Sequence, residues 1–164
     1  YIEDGRWFLE RMDTLYDIVA VDAYHQPYIP FQLTTIEFFE LVADHLSPGG
    51  AAVINVGRTA TDYRLIDVIS STMRDVFPYV YAVDVDRFHN TMLIGMMEPA
   101  SDEAFERHAN AAEPGSLVHD VAMLALETGN IRPGPDGGRV FTDDHAPIEF
   151  YTDLVILEAA REGD

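Results

Sequence analysis

Residues 17–31 read DIVAVDAYHQPYIPF. Within the first six, Ile18 to Val21 form a continuous apolar run that closes on Asp22. A run without alternation is the mark of a strand buried in a parallel sheet of an α/β protein. The next segment, a loop over 23–34, carries Tyr24, His25, Pro27, Tyr28, Pro30 and Phe31. The stretch therefore predicts a core strand over 17–22 that delivers one carboxylate to its tip, with an aromatic, proline-rich wall above it. In open α/β sheets, ligands lie at that end of the strands.

Downstream, TIEFFELVADHL over 35–46 has Ile36, Phe39, Val42, Ala43 and Leu46 at helical spacing, with Thr34 or Thr35 as its cap. Ser47-Pro48-Gly49-Gly50 stops that helix, and AAVINVG over 51–57 is the next buried strand. A helix comes next over 62–76 with Leu65, Ile69, Met73 and Val76 inward. YVYAVDV (79–85) and TMLIGMM (91–97) are strands joined by a short link containing Arg87, His89 and Asn90. Parallel strands need a longer crossover, so this pair is antiparallel. Upstream, residues 5–13 predict a helix with Trp7, Phe8 and Met12 on one face, and Asp4 suits its cap.

The fold class is α/β, a mostly parallel sheet with an antiparallel strand near its edge. After residue 98 the pattern becomes helical: 101–112, then 116–128 with Leu117, Val121, Leu124 and Ala125 on one face, and a last helix from PIEFYTDLVILEAAR. NIRPGPDGGRV between them reads as a loop. The organisation expected is a sheet-forming part over 1–98 and a helical tail over 99–164 packed on the same domain.

Composition narrows the function classes. The chain has 29 acids against 10 bases, all of them arginine, for a net charge of −19. Such a surface repels phosphate backbones, so nucleic acid is not expected as a partner, whereas a polyamine is a cation. There is no cysteine, and the six histidines lack ligand spacing, so no metal site is expected. No apolar run approaches the ~18 residues of a membrane span. A cytoplasmic protein fits these features. On the residues alone, Asp22 suits a turn and Asp4 a helix cap as well as either suits a binding role.

Taken in order, Asp4-Gly5, Asp22, Pro27, Glu37-Phe38-Phe39 and Pro48-Gly49-Gly50 resemble the second half of the class I S-adenosylmethionine-dependent transferase fold, which is Rossmann-like. More narrowly they resemble the spermidine synthase (polyamine aminopropyltransferase) family. TDDHAPIEFYTD over 142–153 is similar to the tail of spermidine synthase-like proteins, including those fused to membrane transporter segments. The resemblance implies an aminopropyl transfer from decarboxylated S-adenosylmethionine to a small amine. It implies that Asp22 takes the proton of the attacking amine, which is no nucleophile while protonated. It further implies that Asp4 bonds the adenine amino group, that Gly5 lets the backbone come close, and that Pro27 belongs to the same pocket. Tyr24, His25, Tyr28 and Asn55 would line the substrate side.

Two departures accompany the match. The family usually has a second Asp three residues after the catalytic one, and here that residue is His25. An imidazole is a poor clamp for an ammonium group. Two alternatives therefore stay open: a methyltransferase using intact S-adenosylmethionine, and a non-catalytic adenosyl-ligand-binding domain attached to a membrane transporter. The family's glycine-rich turn has no counterpart in these 164 residues. The resemblance thus leads to the expectation of an N-terminal part of the same protein beyond them. Without it the sheet lies open along DIVAVD, and a lone fragment is expected to pair there as a homodimer or to bind nothing.

Overall fold

The computed structural model describes residues 4–24, 27–85 and 89–162. The sheet-forming part runs α1 (Gly5–Leu9), β1 (Tyr16–Val21), a 3-10 turn (Phe31–Leu33), α2 (Ile36–Asp44), β2 (Leu46–Gly57), α3 (Arg64–Arg74), β3 (Tyr79–Val85) and β4 (Asn90–Met96). The tail adds α4 (Asp102–Ala111), α5 (Leu117–Thr128), β5 (Ile131–Pro133) and α6 (Ile148–Glu162). The sheet order is β1-β2-β4-β3-β5. β1 and β2 are parallel, while β4 is antiparallel to both β2 and β3. The predicted β3/β4 pair is present, and β4 lies between β2 and β3.

Several expectations are corrected in detail. α1 stops at Leu9 because the chain is drawn away beyond it: the Met12 carbonyl lies 2.7 Å from His45 Nε2. Its buried residue is Leu9, whereas Trp7 is 45% exposed under the Arg11 guanidinium, 4.2 Å from the ring centroid. α2 is capped by Thr35, whose hydroxyl accepts from the Phe38 N–H at 3.3 Å. The Pro-Gly-Gly turn, expected to precede a strand, is instead a bulge inside β2. Leu46 faces Tyr16, but the next partners are Ala51 and Ile18. Gly50 permits this, since a Cβ there would sit 2.9 Å from the Ser47 carbonyl oxygen and 3.1 Å from those of Tyr16 and Asp17.

The predicted loop NIRPGPDGGRV contains β5, which pairs antiparallel with β3 through Ile131, Arg132 and Pro133. A strand of three residues ending in proline has no pattern of its own; β3 specifies it. On α5, the stripe expected to face inward is exposed: Leu117 79%, Val121 56% and Leu124 59%. Periodicity shows that a helix has an apolar face, not that an element of the described residues covers it.

One face of the sheet carries the core. Ala52, Ile54 and Val56 of β2 and Leu93 of β4 pack with Phe38, Phe39 and Val42 of α2 and Leu65, Ile69 and Met73 of α3. Phe141, Ile148 and Val155 join them from the tail. The opposite face is half-buried over β2 and β4 and exposed at β1. There the registers align Ile18, Ala51 and Met96 in one row and Ala20, Val53 and Ile94 in the next. Ile18 is 65% exposed, so β1 is not buried on both faces as its sequence predicts.

Candidate functional site

The third row of that opposite face is polar at its start. Val21 faces Ile54, so the next residues of the two parallel strands, Asp22 and Asn55, flank each other at the carboxyl ends. The Asn55 Nδ2 donates to Asp22 Oδ1 at 3.2 Å. Its Oδ1 in turn accepts from Asn90 Nδ2 at 3.0 Å. Asn90 begins β4, where it pairs with Gly57, and so points to the same face as Asn55. Asp22 is exposed.

Tyr24 explains how the chain can leave the sheet at this point. Continuing the register places Ala23 beside Val56, where its backbone would meet the Asn55 carbonyl and the Gly57 N–H. The strand has ended, and a phenol takes over both bonds. The Tyr24 hydroxyl donates to the Asn55 carbonyl at 2.7 Å and accepts from the Gly57 N–H at 3.2 Å. Burial pushes the phenol up to about 12, with the Asp22 charge adding to the effect against the Gly57 bond. The hydroxyl therefore keeps the proton it donates throughout the physiological range.

Asp4 and Tyr28 make their printed hydrogen bonds to residues outside this cluster. Asp4 caps α1, its Oδ1 accepting from the Trp7 N–H at 3.0 Å, and Gln32 Nε2 lies 3.5 Å from its Oδ2. A Cβ on Gly5 would meet nothing within 4 Å, so that backbone faces open space. Pro27 is an exposed turn residue. The Tyr28 hydroxyl is engaged by α6, donating to Asp153 Oδ1 at 2.8 Å, and this bond raises the phenol. His25 lies outside the described residues.

The tail grips the same region from below. Arg6 bonds both oxygens of Asp143, at 2.7 and 2.6 Å, and the Thr35 hydroxyl adds a third bond at 2.7 Å. The Asp143 N–H donates to Glu37 Oε2 at 3.0 Å. Thus Asp143 joins the tail to α1 and α2. On the covered face, Asp84 bonds Thr91 at 2.6 Å and Arg132 at 3.0 Å, with Arg58 Nε 3.8 Å away. Burial pushes its carboxyl up, but these partners outweigh burial and hold it below the usual range.

An exposed carboxylate with one oxygen held by an amide is suited to accept a proton or to orient a cationic amine. Among the described residues no group of three or more His, Cys, Asp or Glu is placed to hold a metal ion. No helix among them is long and apolar enough to cross a membrane.

Residues 1–106 match the family model described as the spermine/spermidine synthase domain. The chain belongs to the spermine/spermidine synthase domain family. It is 30% identical over 161 aligned residues to a probable polyamine aminopropyl transferase of Bifidobacterium longum (strain NCC 2705), covering 89% of this chain and 36% of that protein. It is 26% identical to the polyamine aminopropyltransferase of Vibrio vulnificus (strain CMCP6), covering 88% of this chain and 50% of the relative. The chain therefore spans a third to a half of these relatives. A probable spermidine synthase from Corynebacterium glutamicum ATCC 13032 superposes with a TM-score of 0.61 at 20% identity, over 87% of this chain and 53% of the other. Human methyltransferase-like protein 13, solved in complex with SAH, superposes at 0.58 and 19% identity, over 74% and 64%. These likenesses show the Rossmann-like class I fold, as the sequence predicted.

Within this spermine/spermidine synthase domain, sequence reading brought together Asp22, Tyr24 and Asn55. It passed over Asn90 as part of a short link, because its contact with Asn55 exists only through the β2/β4 register.

Proposed function

We propose that this chain, as part of a longer protein, catalyses aminopropyl transfer from decarboxylated S-adenosylmethionine to a small amine. The supporting observation is the exposed Asp22 carboxylate at the carboxyl end of β1, with Asn55 donating to one of its oxygens. The amine nitrogen attacks the methylene carbon beside the sulfonium sulfur. A C–N bond forms as the C–S bond breaks; its electron pair goes to sulfur, and neutral methylthioadenosine leaves. The proton lost by the nitrogen passes to Asp22. Asp4 and Gly5, at the start of α1 with open space before the Gly5 backbone, suit the adenine end. Pro27, Tyr28 and His25 belong to the substrate wall in this reading. The family's glycine-rich turn would come from an N-terminal part of the same protein, and the tail over 99–164 packs with the sheet as one domain. The expected setting is the cytoplasm or the cytoplasmic side of a membrane-attached protein.

The test is an assay of the intact natural protein with both sulfonium donors against a panel of di- and polyamines. The expected result is transfer from the decarboxylated donor, with Asp22→Asn lowering kcat by roughly 10²–10⁴-fold. Undiminished transfer by a folded Asp22→Asn protein would sink the reading. A second reading is methyl transfer from intact S-adenosylmethionine. His25, standing where the family usually has an acid, favours it; methylated product in the same assay would establish it.

A further inference from the structure

We infer that Asp143, in the tail, is a positioning residue for the sulfonium donor: through Arg6 it fixes where Asp4 and Gly5 meet the adenine end. This role rests on the proposed function and extends it to an acid that touches no substrate in that reading. The need for a tether begins with the length of α1. Five residues, Gly5–Leu9, make too few internal bonds to hold a helix in place unaided. Arg6 reaches from it to two other segments. Its Nη1 donates to the Gln32 carbonyl at 3.2 Å, and Nη1 and Nη2 donate to the two Asp143 oxygens at 2.7 and 2.6 Å. Glu10, 3.6 Å from Arg6 Nε, sits at the end of the same helix and ties α1 only to itself.

Asp143 is itself fixed. The Thr35 hydroxyl donates to its Oδ1 at 2.7 Å, and its N–H donates to Glu37 Oε2 at 3.0 Å. Thr35 is the cap of α2 and Glu37 lies in its first turn. A planar guanidinium bound to both oxygens of one carboxylate has a single geometry, so the tail sets how α1 lies against α2. The same guanidinium sets the spacing between Asp4 and the turn at Phe31–Leu33. It holds the Gln32 carbonyl, while the Gln32 side-chain amide lies 3.5 Å from Asp4 Oδ2. That distance exceeds an ordinary hydrogen bond, so Oδ2 keeps its capacity for an amino group; Oδ1 is already committed to the Trp7 N–H. Without the Asp143 charge, the guanidinium turns toward Glu10, the Gln32 carbonyl loses its donor, and Asp4 shifts against the turn. The tail itself stays seated. The Ile36 N–H donates to the Phe141 carbonyl at 2.9 Å, and Phe141 is fully buried.

The test uses the intact natural protein with Asp143→Asn and Asp143→Glu. It reads steady-state transfer and the calorimetric binding of methylthioadenosine, which carries the same adenosine end. The Arg6–Asp143 pair is partly exposed, so the variants should fold, which thermal unfolding checks. An Asn amide offers one oxygen to the three donors that the carboxylate satisfies, and turns an NH₂ toward Arg6 or Thr35. The expected result for Asp143→Asn is a KM for decarboxylated S-adenosylmethionine and a Kd for methylthioadenosine each raised roughly tenfold. That is the worth of one hydrogen bond to a charged acceptor. kcat and the KM for the amine should not change. A general loosening of the fold would weaken the amine as well. Asp143→Glu keeps the charge and should recover part of the affinity. Arg6→Gln should weaken methylthioadenosine to the same degree, and adding Asp143→Asn to it should weaken it no further, because Asp143 acts through Arg6. Unchanged methylthioadenosine affinity in a folded Asp143→Asn protein overturns the positioning role, and if Asp22→Asn still abolishes transfer the proposed function stands. If Asp22→Asn transfers undiminished while Asp143→Asn binds methylthioadenosine more weakly, the proposed mechanism falls and the positioning role stands.

Discussion

At the scale of single residues, the site depends on side chains that stand in for missing backbone. The Tyr24 hydroxyl completes two bonds of the β2 ladder where β1 has already turned away. Tyr24→Phe removes both while keeping the ring, so the Asn55 carbonyl and the Gly57 N–H each lose that bond. An unsatisfied buried polar group costs about 1–3 kcal/mol. We expect the variant to unfold at lower urea, by an amount near that range, which equilibrium denaturation measures. His45 provides a second residue-scale prediction. Its two ring nitrogens meet the carbonyls of Leu41 and Met12 at 2.8 and 2.7 Å. Those two bonds raise its pKa above 6.5. Only the imidazolium donates from both nitrogens. The folded state therefore holds the proton more tightly than the unfolded state. The stabilisation is complete below the ordinary histidine value and is lost as pH rises through the raised one. Urea midpoints measured from about pH 5.5 to 9 should decline for the parent and decline less for His45→Gln.

At the scale of elements, the tail matters through two acids. Asp143 clamps α1 and the start of α2, and Asp153 of α6 accepts from the Tyr28 hydroxyl. The Arg6 bond keeps the Asp143 carboxyl below its usual range. That contribution is present above the ordinary carboxylate value and disappears as pH falls through the lowered one. Asp143 is partly exposed, so a bidentate pair here contributes about 1 kcal/mol or less. We expect Asp143→Asn to lower stability by that much at neutral pH and to speed amide exchange at the start of α2, readable by hydrogen exchange. These elements were unequally legible in the sequence. β1 and β2 announced themselves because continuous apolar runs bounded by Asp22 and by Pro48-Gly49-Gly50 have few other solutions. β5 did not, since its pairing is dictated by β3. The α5 stripe was legible as apolar, but its exposure was not. Of the candidate site, Asp22 and Asn55 were visible as strand-end polar residues, while the link to Asn90 required the β4 register, which no local pattern encodes.

At the scale of the whole molecule, the sheet is asymmetric. α2, α3 and the tail bury one side. Ile18 and Ala20 are exposed and Val53 and Ile94 half-buried on the other side, which is apolar and lies next to an edge of β1 that no described strand pairs. Open apolar faces and bare edges promote association. The 164-residue chain by itself should therefore show a mass that rises with concentration in light scattering. Ile18→Lys should reduce that rise without lowering stability by more than about 0.5 kcal/mol, since the side chain is already exposed. A chain that remains monomeric at high concentration would contradict this expectation. The rows of that side run from Ile18 up to Asp22. Any covering laid over the first rows would come within one row of the Asp22 carboxylate, so whatever shelters the hydrophobic face also bounds the space in front of that acid.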